Sequence, residues 1–212
     1  MNEPLLATLG LGFVLGLKHA TEADHLAAVS TIVSERKSIW QSAAVGALWG
    51  TGHTLSLLVA GVFVISLGVA IPERVANVLE LAVALMIIFL GMRLLRRHIH
   101  SRPHSHARLF GWRPVLVGIV HGLAGSAALT LLVLSEVVRH GSAMMGFAYL
   151  LIFGLGSIAG MLTLSSLIGL PFILGFRFFQ RTILPLRLLT GAASTSFGLF
   201  YAWRIVEKLS MF

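Results

Sequence analysis

Six apolar runs, each long enough to cross a ~30 Å hydrocarbon core at about 1.5 Å per residue, decide what this chain can become. They extend from about Leu5 to Ile32, Ile39 to Ile71, Val75 to Leu95, Pro114 to Val138, Met144 to Phe176 and Ile183 to Val206. Only 11% of the 212 residues are charged, too few to cover a soluble domain of this size, while 57% are hydrophobic. Backbone facing hydrocarbon must satisfy its own hydrogen bonds, which leaves helices and closed barrels. No run alternates with the period of two that a membrane barrel requires. The expected fold is all-α, a polytopic membrane protein of six transmembrane helices. The second and fifth runs exceed one straight crossing, so a tilt or a break near their internal glycines is expected.

The formal net charge of +8 resembles a nucleic-acid signal until it is mapped. Loops after the first, third and fifth runs carry Arg36 and Lys37, then Arg96, Arg97, Arg102, Arg108 and Arg113, then Arg177, Arg181 and Arg187. The opposite loops carry only Arg74, Arg139 and Lys208. This bias is the positive-inside signature, so the partner is a lipid bilayer and no nucleic acid is expected. It places both termini outside the cytoplasm of a bacterial-type cytoplasmic membrane. The first run lacks a basic leader and a small-residue cleavage site, and is expected to be retained as a helix.

The halves echo each other. Gly16-Leu-Lys-His19 in the first run is matched by Gly118-Ile-Val-His121 in the fourth, and Gly91 with Arg97 by Gly198 with Arg204. Gly50, Gly52 and Ser56 have counterparts in Gly156, Gly160, Ser165 and Ser166. Three helices per repeat is an odd number, so the two halves would be inverted in the membrane, as in many secondary transporters. The expected division of this single domain is repeat one over about 5–95, a loop over about 96–113, and repeat two over about 114–207.

The most charge-dense segment lies inside the first run. Lys18, His19, Glu22, Asp24 and His25 fall within eight residues. A charge at the centre of a membrane helix costs about 2.5–3.5 kcal/mol even on the lenient insertion scale, so such a segment is expected to bind something. Lys18 could neutralise one carboxylate, and the remaining negative field beside two imidazoles suits a divalent cation. With no cysteine in the chain, any metal must be held by His, Asp, Glu or backbone oxygen. At 100° per residue His19 and His25 differ by about 240° on a regular helix, and Asp24 lies about 140° from His19. Convergence on one ion therefore requires unwinding between them, whereas His19 and Glu22 share a face without any break. His53, in Gly50-Thr-Gly-His-Thr-Leu-Ser56, and His121 are two further histidines within apolar runs. Each reads as a metal ligand or as an interhelical hydrogen-bond partner.

The stretch His19-x4-Asp24-His25 resembles the signature of the nickel/cobalt transporter (NiCoT) superfamily. The longer string from Gly16 to Val29 resembles most closely its six-helix UreH-type urease-accessory members. Trp49-Gly-Thr-Gly-His53-Thr is similar to the family's second motif. The motifs cover about residues 10–60, and the six-helix layout extends the likeness to the whole chain. The resemblance implies passage of Ni2+ or Co2+ as transported substrate, with no permanent cofactor. It implies His19, Asp24, His25 and His53 as metal ligands, to which the residue reading adds Glu22 and His121. The second half departs from an acidic motif, carrying Gly122-Leu-Ala-Gly-Ser126 instead.

His98, His100, His104 and His106 lie in the loop between the third and fourth runs, where they read as a metal-collecting tract or as a solvated basic loop. The residues and the resemblance together read as a transporter of a divalent transition metal and not an enzyme. The alternatives are a non-transporting delivery or assembly factor for a metalloenzyme, a metal exporter, an anion exporter, and an intramembrane hydrolase using His53, His121 and Ser126. A homo-oligomer and a metalloenzyme-maturation partner stay open.

Overall fold

The computed structural model describes residues 3–67, 72–99, 111–124, 138 and 142–210. Among them seven helices follow one another: α1 (Glu3–His19), α2 (Ala23–Val33), α3 (Ile39–Leu67), α4 (Glu73–Ile99), α5 (Arg113–Leu123), α6 (Ala143–Phe178) and α7 (Gln180–Ser210). There is no strand among the described residues. By length and composition α3, α4, α6 and α7 can each cross a membrane. They coincide with the second, third, fifth and sixth apolar runs to within a few residues.

The first run is not one helix. It breaks over Ala20–Glu22 into α1 and α2, whose 17 and 11 residues are each too short to cross alone. Conversely, the two longest runs do not break at their glycines. The 29-residue α3 is continuous, and the 36-residue α6 continues past Pro171 to a length of about 54 Å. The fourth run begins as α5, and its remainder beyond Ala124 lies outside the described residues except for Val138. So do residues 100–110, which include His100, His104 and His106, while His98 is described in its backbone alone.

Helices α3 and α6 form the central pair. Helix α1 packs on α6, α5 packs on α3, and α4 pairs with α7, while α2 touches α4, α7 and α6. Glycines set these distances. The backbone at Gly16 meets the Phe153 carbonyl of α6, and that at Gly118 meets the Trp49 carbonyl of α3. Gly156 likewise meets the Phe13 carbonyl, and Gly52 the Val115 carbonyl. On the flank, Gly91 faces Thr195 and Gly191, while Gly198 faces Ile88 and Ala84. Apolar helices gain little from the hydrophobic effect against one another in lipid, so this close backbone approach supplies the packing energy. Leu151, Leu155 and Leu162 of α6, with Leu189, Leu199 and Phe200 of α7, are exposed on the outside, where lipid is the natural solvent.

A Cβ at Gly16 or Gly118 would collide with main-chain atoms, which cannot swing aside as a side chain can. Gly16→Val and Gly118→Val are therefore expected to cost at least the ~1–3 kcal/mol typical of overpacking. Gly10→Val, which meets open space, is expected to be neutral. Monodispersity and melting midpoint of the detergent-solubilised variants measure this.

Candidate metal centre

The break between α1 and α2 is locally self-sufficient. The Thr21 amide and hydroxyl both donate to the Lys18 carbonyl, at 2.9 and 2.6 Å, and the Glu22 amide donates to the His19 carbonyl at 3.1 Å. These bonds satisfy carbonyls that the end of α1 would otherwise leave without partners. Glu22 is then extended (φ −64°, ψ 148°), and α2 restarts at Ala23 with Asp24 in its first turn. The Asp24 carboxylate accepts from the His25 amide at 2.9 Å, at the end of the helix whose partial positive charge favours an anion.

The break turns His19 and His25 toward each other, with ring centroids 4.6 Å apart. His53 from α3 brings its Nε2 to 3.0 Å from His19 Nε2. From α5, His121 places its ring 4.6 Å from that of His25 and its Nε2 3.4 Å from Asp24 Oδ2, an ion-pair distance rather than a well-formed hydrogen bond. His25 Nδ1 lies 3.1 Å from Asp24 Oδ1. Ligand-type atoms of His19, His25 and His53 lie within 4.8 Å of one another, as do those of Asp24, His25 and His121. Two nitrogens bound to one metal ion at ~2.0–2.1 Å lie roughly 3.0–3.4 Å apart, so the His19–His53 spacing suits a shared cation.

Burial sharpens the picture. His25 is 1% exposed, and His53 and His121 are 0%. The described residues offer no hydrogen-bond partner to His25 Nε2, to His53 Nδ1 or to either nitrogen of His121. Unpartnered buried imidazole nitrogens cost about 1–3 kcal/mol each, and a metal ion, which takes one nitrogen per ring, would relieve part of that cost.

Two sequence expectations end elsewhere. Glu22 joins neither group: its carboxylate lies 3.0 Å from His19 Nδ1 on the side away from His53, with its side chain 43% exposed. There it can fix the tautomer and orientation of His19. Lys18 is exposed and forms no ion pair among the described residues, so the groups nearest the Asp24 carboxylate are histidines rather than an ammonium. Two aromatic walls were not anticipated as such. Trp49 lies nearly parallel to His25 (centroids 5.7 Å, interplanar 11°) and 5.3 Å from His121, and Phe153 lies 5.6 Å from His19. Trp49 stands one turn before His53 on the same face of α3, a spacing visible in the sequence but common among apolar helices.

A helical protein with membrane-crossing elements, built around buried histidines and an aspartate at a helix break, is the class these features define. Comparison with known proteins makes it specific. The chain is 39% identical over 215 aligned positions to the urease accessory protein UreH of Bacillus sp. (strain TB-90), covering 95% of this chain and 92% of that one. It belongs to the UreH-type family, within the nickel/cobalt transporter superfamily that its motifs resemble. It is also 25% identical over 189 positions to the chloroplast protein FOR GROWTH AND FERTILITY 1 of Arabidopsis thaliana, covering 77% of this chain and half of the plant protein. No family model matches the chain, and no solved structure does.

Ni2+ held by these groups should stabilise the solubilised protein by about 2.7 kcal/mol at a free concentration of 100 Kd. His25→Ala, which takes a member from both groups, should abolish the shift in melting midpoint, whereas Thr51→Ala, exposed on α3, should keep it.

Proposed function

We propose that this protein carries a divalent transition metal, nickel or cobalt, across the membrane through a site formed by His19, Asp24, His25, His53 and His121. One observation carries the reading: two overlapping ligand groups that share His25, built at a helix break in an otherwise apolar bundle. Imidazole and carboxylate without thiolate suit nickel, cobalt, zinc and copper, and the choice of nickel or cobalt among them rests on the family resemblance. The choice of nickel draws on the kinship with a urease accessory protein, since urease is a nickel enzyme.

In this reading α1 and α2 together make the first of six crossings, α5 begins the fourth, and the chain is two inverted three-helix repeats. The reciprocal packing supports it. Gly16 on Phe153 is mirrored by Gly118 on Trp49, Gly156 on Phe13 by Gly52 on Val115, and Gly91 on Thr195 by Gly198 on Ile88. His19 beside Phe153 is mirrored by His121 beside Trp49. The site then sits between the repeats, where rocking of one half against the other would open it to either side. The bias of basic residues toward alternate loops supports an orientation with both termini outside a bacterial-type cytoplasmic membrane.

A second reading, delivery of metal to a maturing enzyme without transport, is favoured by the relative's description as an accessory protein. Flux separates the two. Proteoliposomes containing this protein alone should accumulate Ni2+ or Co2+, and Asp24→Ala and His25→Ala should each reduce the rate by about 100-fold or more. An unchanged rate in those variants would falsify the ligand assignment; absence of flux in the wild type alongside intact metal binding favours delivery. Imidazole must be unprotonated to bind metal, so protons compete and uptake should weaken as the pH falls from 7 toward 5. An uptake rate that stays flat or rises over that interval contradicts imidazole ligation.

A further inference from the structure

A second polar feature lies at the end of the bundle that carries the basic loops, apart from the histidine cluster. The C-terminal end of α2, the last turns of α4 and the start of α5 enclose a cavity. Its charged lining is Glu35, Arg36, Arg93 and Arg113, beside Thr31, and its apolar lining includes Ile32, Leu90, Leu94 and Val117. Three guanidinium groups thus face a single carboxylate. That carboxylate is already engaged, because Arg97 Nη1 donates to Glu35 Oε1 and Oε2 at 2.6 and 2.8 Å. Arg36 Nε is buried with no hydrogen-bond partner among the described residues, and burial lowers the guanidinium below its ordinary value while Glu35 opposes the shift. Helix α5 begins here without a side-chain cap, so the partial positive charge of its first turn adds to the field.

Such a cavity is a poor place for a metal cation and a good one for an anion. We propose that it binds the phosphate headgroup of an anionic membrane lipid. Arg36, Arg93 and Arg113 take the phosphate by charge-assisted hydrogen bonds, and Ile32, Leu90, Leu94 and Val117 pack along the first acyl carbons. The mixed lining favours an amphiphile over a soluble phosphate, which would leave the apolar wall without a partner. Depth agrees as well. Trp112, next to Arg113, and Trp40, in the first turn of α3, are 70% and 81% exposed, as expected for indoles at headgroup level. A lipid held here bridges α2, α4 and α5, so it would stabilise the arrangement of the element that carries Asp24 and His25. The inference stands on its own residues and does not depend on what the histidines bind.

The test uses the full-length protein in detergent, titrated with phosphatidylglycerol, phosphatidylcholine or inorganic phosphate, with retained lipid read by native mass spectrometry and the melting midpoint in parallel. Wild type should retain phosphatidylglycerol in preference to phosphatidylcholine and melt higher with it, and inorganic phosphate should not reproduce the shift. At about 1 kcal/mol per basic residue, Arg36→Gln with Arg113→Gln should weaken phosphatidylglycerol binding by at least about tenfold. The Lys pair at the same positions keeps the charge and should retain the preference. Glu35→Gln, which frees Arg97, should bind at least as tightly as wild type. Equal retention of the two lipids by wild type overturns the proposal. So does equal phosphatidylglycerol binding by the Gln pair, or a full stabilisation by inorganic phosphate alone.

Discussion

The structure is organised around one energetic conflict, a carboxylate and four histidines enclosed in a bundle whose outer surface is hydrocarbon-like. A regular first helix would spread His19, Asp24 and His25 around its circumference and expose some of them to lipid. Breaking the helix over Ala20–Glu22 removes that problem. Thr21 and Glu22 satisfy the carbonyls that the break frees, and Asp24 falls at the start of α2, where the helix favours an anion. The break is supported by its own hydrogen bonds, and it brings the buried His19 and His25 rings together. His53 and His121 complete the cluster from two other helices, and neither can reach it unless those helices come very close.

That requirement explains the glycines. Gly52 and Gly118 bring α3 and α5 to backbone contact on either side of His53 and His121, and Gly16 and Gly156 do the same for α1 and α6. Small residues in a membrane bundle therefore serve packing and site geometry together. The histidine cluster and the arginine-lined cavity at the basic end of the bundle thus occupy separate parts of the structure.

Much of this was legible in the residues. The bilayer length rule recovered the four long helices, because hydropathy averages over many side chains. The break was legible too, since helical geometry alone forbids His19 and His25 from converging. What the sequence could not supply was long-range. That His121, nearly a hundred positions away, stands against His25 and Asp24 depends on how α5 meets α3, which periodicity does not encode. Glu22 illustrates a partial success: its shared face with His19 was correct, yet the break turns that face outward. Lys18, which could have neutralised a carboxylate, is exposed instead, because charge proximity in sequence says nothing about which side of a broken helix faces the core. Trp49 and Phe153 carried no distinguishing signal among so many apolar neighbours.

The central claim is that these imidazoles and this carboxylate bind one transition-metal ion directly. X-ray absorption at the nickel edge, on purified protein loaded with one equivalent of Ni2+, tests it without reference to transport. The account predicts a nitrogen/oxygen shell at ~2.0–2.1 Å with the multiple-scattering pattern of at least three imidazoles, which is lost in His25→Ala. A spectrum matching hydrated nickel, or one unchanged in that variant, would contradict it.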